Sequence, residues 1–234
     1  MKTLIIFDID GTLLYSNKID SECFAESYEA VFDYAFPSID WRDYPHVTDH
    51  TIFGTVFKEQ FNRPVTKEEL DRFQTDFVER MQERREKTPE EFQEVPGARQ
   101  TVENLLKDER FAVGIATGGW QRPAQFKLRH VGIDYTDIFD SYADDKVTRD
   151  DIVNESIDNA KKQHADFQRI VYVGDAVWDV KTTRGMNLPL IGIRRNGDRH
   201  VLENEGATHI LQDYSDYEAF LEMVENAAVP KEKR

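Results

Sequence analysis

Short apolar runs and amphipathic stretches alternate along most of this chain, with one long break in the alternation. The run Leu4-Ile5-Ile6-Phe7 stops abruptly at acid and glycine, the pattern of a short buried strand entering a tight turn. From residue 16 to 91 the pattern then turns almost entirely helical. Ile19, Cys23, Phe24, Tyr28, Val31 and Phe32 share one helical face, and Pro37 closes that segment. A second helix is expected after Thr48 as its cap, carrying Ile52, Phe53, Val56 and Phe57. A third starts at Thr66, with Glu69 completing a capping box, and its stripe is Leu70, Phe73, Phe77, Val78 and Met81. The polar stretch 83–91, containing Pro89, reads as a solvated helix end and linker.

From residue 92 the alternation resumes. Helices are expected over 97–107, 122–130 (with Pro123 in its first turn), 150–163 and 217–226. Strands are expected over 111–116, 170–173, 190–193 and 209–211. Short apolar strands alternating with amphipathic helices predict an α/β fold, a doubly wound, mainly parallel sheet covered on both faces. Residues 1–15 and 92–234 would form this core, interrupted by a helical insertion over 16–91.

Composition narrows the partners. The chain has 234 residues and a formal net charge of -15, which argues against a nucleic-acid backbone or an anionic membrane as partner. Cys23 is the only cysteine, so an internal disulfide and a cysteine zinc site are both excluded. The four-residue apolar stretch before Asp8 is too short for a signal peptide, and no run approaches a membrane span. The expectation is a cytoplasmic protein; the oligomeric state is not legible, since core and interface aromatics look alike.

The chemistry gathers at the ends of the expected strands. Asp8 and Asp10 follow the first, with Gly11 allowing a sharp turn and Thr12 adding a hydroxyl. Thr117-Gly118-Gly119 follows the second, a hydroxyl and two glycine amides suited to an anion. Gly174-Asp175 ends the third, with Asp179 one helical turn on. In a parallel sheet such ends converge on one crevice. Four carboxylates there repel unless a cation offsets them, and hard oxygen ligands favour Mg²⁺. An anionic substrate also needs a positive side chain, and Lys146 and Arg149 both precede the helix expected at 150.

Taken in order, Asp8-Ile9-Asp10-Gly11-Thr12, Thr117, Lys146 or Arg149, and Gly174-Asp175 with Asp179 resemble the motifs of the haloacid dehalogenase superfamily. The helical insertion resembles the cap of its phosphoglycolate phosphatases and β-phosphoglucomutases, and Val95-Pro96-Gly97-Ala98 looks like the hinge by which that cap returns. The resemblance implies that Asp8 attacks phosphorus and forms an aspartyl-phosphate, while Asp10 serves as general acid and then base. It implies that Thr117 and the amides of Gly118 and Gly119 hold phosphoryl oxygens, and that Lys146 or Arg149 neutralises their charge. Residue identity favours Lys146; helix register, judged from Ile152 and Ile157, favours Arg149. Mg²⁺ would be held by Asp8, the Asp10 carbonyl and Asp175, with Asp179 either a further ligand or bonded to one.

Asp10 separates the reactions within that resemblance. A halide leaves without a proton, so dehalogenases of this kind lack the second aspartate; its presence predicts phosphate-ester chemistry on a small phosphorylated metabolite. A phosphohexomutase of the β-phosphoglucomutase type keeps Asp10 too, and a non-catalytic phosphate-binding regulator is the alternative outside enzymes. Thr48 and Asp49, at the entrance to the second insertion helix, either cap it or face the substrate. His46 and His50 read as surface or packing residues, Trp41 and Tyr44 as packing, and Trp120 as either packing or pocket lining.

Overall fold

In the computed structural model, which describes residues 1–232, six parallel strands form one sheet. Across the sheet they run β5 (Phe139–Ser141), β4 (Phe111–Ala116), β1 (Lys2–Phe7), β6 (Phe167–Gly174), β7 (Leu190–Ile193) and β8 (Ile210–Leu211). The chain runs outward from β1 to one edge and then crosses to fill the other. The sheet therefore has its switch point at the end of β1, where such sheets bind ligands. Two-residue strands β2 (Leu14–Tyr15) and β3 (Gln93–Glu94) pair antiparallel where the chain leaves the sheet and where it returns.

Alternate residues of each strand serve opposite faces. Ile5, Phe7, Val113, Ile115, Val171 and Val173 join one apolar cluster with side chains of α4 (Ala98–Lys107), α5 (Gln121–His130) and α9 (Tyr217–Asn226). Leu4, Ile6, Ala112, Ala116 and Tyr172 join a second with α6 (Arg149–Gln163), α7 (Val177–Gly185) and α8 (His200–Glu203). Burial on both sides explains why β1 reads as an unbroken apolar run rather than an alternation. The pair β2 and β3 was not expected, and two strands of the main sheet also differ from expectation. β6 starts at Phe167 because polar Gln168 and Arg169 find partners on Thr3 and on the Val224 and Ala227 carbonyls. β5 is only three residues long with Asp140 at its centre, too short and too polar to stand out as a strand.

The insertion folds as α1 (Asn17–Phe32), α2 (Asp49–Phe61) and α3 (Lys67–Lys87). Thr48 caps α2 through the Thr51 amide, and Thr66 with Glu69 forms the capping box of α3. Their facing stripes meet in an aromatic cluster, with Phe53 and Phe73 ring centroids 4.6 Å apart and Phe24 within 5.5 Å of Phe77. Trp120, from the loop after β4, is fully buried and stacks on Phe24 at 5.8 Å. Of its two expected roles it takes packing, joining the sheet's loop to the insertion. No helix among the described residues is long and apolar enough to cross a membrane.

Candidate active site

The Asp8 amide extends the parallel ladder, donating to the Val173 carbonyl at 2.9 Å, so Asp8 leaves β1 at the carboxyl end of the sheet, between β4 and β6. The chain then coils tightly: the Thr12 and Leu13 amides both return to the Ile9 carbonyl. Gly11 sits at φ +75°, and a Cβ there would lie 2.0 Å from Asp175 Oδ2. A side chain at position 11 is thus excluded twice, by backbone conformation and by the carboxylate beside it. Gly11→Ala is expected to displace Asp175 and, through the left-handed backbone it must adopt, to destabilise the fold by about 1 kcal/mol or more, read in thermal denaturation against wild type.

Asp8, Asp175 and Asp179 bring one carboxylate oxygen each within 4.8 Å of one another, and all three are buried. Their remaining bonds differ. Asp8 Oδ1 and Asp175 Oδ1 are buried without a hydrogen-bond partner. Asp179 has both oxygens engaged: Oδ1 accepts from Arg149 (2.8 Å) and Tyr172 (3.3 Å), and Oδ2 from the Ala176 amide (3.0 Å). Burial pushes the Asp8 carboxyl up to about 7, with Asp179 and Asp10 adding to the rise and Arg149 opposing it. Burial likewise holds Asp175 well above the usual carboxylate range, reinforced by Asp179 and Asp8. Two orphaned, crowded carboxylate oxygens with raised proton affinity are what a hard divalent cation satisfies, and the donor set fits one. Asp179, although both its oxygens carry hydrogen bonds, also offers one of them to the same cluster.

Arg149 is the cation of this cluster. Its Nη2 donates to Asp8 Oδ2 (3.1 Å), Asp179 Oδ1 (2.8 Å) and the Tyr172 hydroxyl (3.1 Å), while the side chain stays 9% exposed. The local reason is a capping box: Thr148 Oγ1 accepts from the Asp151 amide and Asp151 returns to the Thr148 amide. This starts α6 at Arg149, one residue before the expected start, with the guanidinium aimed at the strand ends. Gly118 permits the approach, since a Cβ there would meet Arg149 Nη1 at 2.5 Å and the Val47 carbonyl at 2.6 Å. Lys146 goes elsewhere: its Nζ pairs with Asp145 and, at 3.3 Å, with Glu155, outside the crevice. Asp145 is its immediate neighbour and Glu155 projects from α6 on that side.

Thr117, Gly118 and Gly119 line the same crevice as Asp8 and Asp10. Thr117 is 2% exposed, and its hydroxyl accepts from the Gly119 amide at 3.3 Å. From the insertion, Asp49 also lines it; its Oδ2 accepts from the Trp120 amide (3.0 Å) and its own amide donates to the Gly118 carbonyl (2.8 Å). Burial, with Asp20 nearby, holds the Asp49 carboxyl well above its usual range. Thr48 does not reach the crevice: its hydroxyl caps α2 and faces the Lys146 and Val147 carbonyls. Trp41, expected only to pack, and Trp178 also line the opening.

Four contributors carried no sequence motif. Ser16 donates to Asp10 Oδ1, Lys127 bonds Asp10 Oδ2 at 2.7 Å, Asp20 pairs with Lys127, and Tyr172 supports Arg149. Lys127 did leave a signal. It falls three residues after Ala124 and four after Pro123, in the buried stripe of α5, where a lysine has no place unless paired.

The haloacid dehalogenase-like hydrolase family matches residues 5–193, taking in every strand-end residue described above. The chain belongs to this family. As a member it is an enzyme of the hydrolase class, with the α/β core of that family. No curated protein matches the chain. Among solved structures it is similar to a hydrolase from Pseudomonas syringae (23% identity, 95% of this chain and 99% of the other, TM-score 0.66). It is also similar to CbbY from Rhodobacter sphaeroides, solved with phosphate (18%, 92% and 96%, TM-score 0.61). A third, from Haemophilus somnus, is a predicted phosphoglycolate phosphatase (15%, 94% and 98%, TM-score 0.60). At these identities the likeness is one of fold. The haloacid dehalogenase-like core and its helical insertion are both covered by it.

Proposed function

We propose that this protein is a Mg²⁺-dependent phosphatase acting on a small phosphorylated metabolite. The observation that carries the reading is the pairing of Asp8 with Arg149 beside two orphaned carboxylate oxygens, in a crevice also lined by Thr117 and Gly118. Asp8 attacks phosphorus as the ester P–O bond breaks, giving an aspartyl-phosphate. Asp10 gives its proton to the departing ester oxygen. It then takes one from a water that attacks the same phosphorus and frees Asp8. Arg149 offsets charge on the phosphoryl group, and Thr117 with the Gly118 and Gly119 amides orients its oxygens. Mg²⁺, held by Asp8, Asp175 and the Asp10 carbonyl, would supply the positive charge this crowded set of carboxylates lacks.

Residues 16–91 serve in this reading as a cap over the crevice, with Asp49, Trp41 and Ile52 facing the part of the substrate that leaves. Cap residues would then select the metabolite. A panel of phosphorylated metabolites, assayed for phosphate release with Mg²⁺ and with chelator, tests the assignment. At least one member should be hydrolysed, and chelation should slow it by about 100-fold or more. Isomerisation of a sugar phosphate that depends on a bisphosphate, with little phosphate freed, would indicate a mutase. Binding without turnover would indicate a regulator.

A further inference from the structure

Lys127 is a complete lysine side chain inside the protein, 2% exposed, between the first motif and the helical insertion. Its Nζ lies 2.7 Å from Asp10 and also pairs with Asp20 on α1. On the other side of Asp10, the Ser16 hydroxyl donates to Oδ1. Two donors therefore hold the two oxygens of one carboxylate, while 22% of the Asp10 side chain still faces the opening. A buried ammonium is unfavourable unless its partners are well placed. The neighbouring buried positions of α5, Pro123, Ala124 and Leu128, are apolar, so an uncharged side chain would suit packing alone. Asp10 and Asp20 together outweigh burial and keep Lys127 protonated.

We propose that Lys127 is a positioning residue for proton transfer by Asp10, an inference that rests on the phosphatase reading above. Its ammonium, with Ser16, fixes the plane of the Asp10 carboxyl so that its proton meets the ester oxygen as the P–O bond breaks. The same pose then receives the proton of the attacking water. Lys127 keeps all three of its own protons throughout. Asp20 completes the clamp from the insertion, so the same ammonium joins α1 to the acid/base group.

The leaving group separates this role from a structural one. An alkyl phosphate needs its ester oxygen protonated, whereas p-nitrophenolate departs without a proton. Lys127→Met should lower kcat/KM for the best alkyl phosphate about 100-fold, within the range that general acid–base catalysis contributes. The first turnover of p-nitrophenyl phosphate, read as a burst of p-nitrophenolate, should slow by no more than about 5-fold, and later turnovers should lag because water attack still needs Asp10. Adding Lys127→Met to Asp10→Asn should cost little beyond Asp10→Asn alone. Where Lys127→Met fails to fold, the Lys127→Met/Asp20→Asn pair leaves no lone buried charge on Asp20 and should show the same split. Equal loss on both substrates, no loss on either, or full additivity with Asp10→Asn would overturn the assignment while leaving the phosphatase reading intact. Absence of turnover by the wild-type enzyme on every ester would overturn both.

Discussion

Asp8→Asn should reduce phosphate release by ~10⁴-fold or more while the protein stays folded. The amide is nearly the shape of the carboxylate but cannot form an acyl-phosphate, so the covalent route closes. Structure argues that the fold tolerates it. Asp8 Oδ1 has no hydrogen-bond partner to lose, and Arg149 keeps Asp179 and Tyr172. Removing one charge from a buried set whose members raise each other's proton affinity relieves repulsion in the metal-free protein. Its melting temperature should therefore equal or exceed that of wild type at neutral pH. Release within 10-fold of wild type would place the nucleophile elsewhere.

Arg149→Met should damage stability and activity together. Arg149 is the partner of two buried carboxylates, and removing one member of such a set typically costs about 3–5 kcal/mol. For a protein of this size each kcal/mol moves the melting temperature by roughly 2–4 °C. A fall of ~6–20 °C is expected, with phosphate release lowered at least ~10³-fold through loss of phosphoryl charge compensation. Lys146→Met is the control. Its ammonium pairs with Asp145 and Glu155 away from the crevice, and the change should stay within about 0.5 kcal/mol with activity retained. Thermal denaturation and steady-state assays of the two variants decide between them. If Lys146→Met proves the damaging one, the site's cation has been misassigned.

The contrast between these two residues shows where sequence reading stops. Asp8, Asp10, Thr117 and Asp175 were legible together because each ends an apolar run, and a parallel sheet brings run ends to one edge. The choice between Lys146 and Arg149 turned on one residue of helix register. That register is set by a capping box, Thr148 with Asp151, whose second member is an Asp rather than the more usual Glu. Lys127 was missed for a different reason. Charge on a helix reads as solvated by default, and only its place in an apolar stripe opposes that reading. Its partners lie 117 and 107 positions away, on the first strand's turn and on the insertion's first helix, and no local pattern connects them. Trp120 was ambiguous because an aromatic beside a glycine pair suits a pocket as well as a core; stacking on Phe24 resolves it.

If phosphoryl transfer passes through Asp8, a phosphoenzyme forms there and can be trapped. Asp10→Asn protein, in which water attack is slowed, is mixed with Mg²⁺ and p-nitrophenyl phosphate, quenched in acid during turnover, and mapped by peptide mass spectrometry. One phosphoryl group is expected on Asp8, and none in the Asp8→Asn protein treated alike. A phosphoryl group on any other residue, or an unmodified Asp8 in protein that has released a full equivalent of p-nitrophenolate, would contradict it.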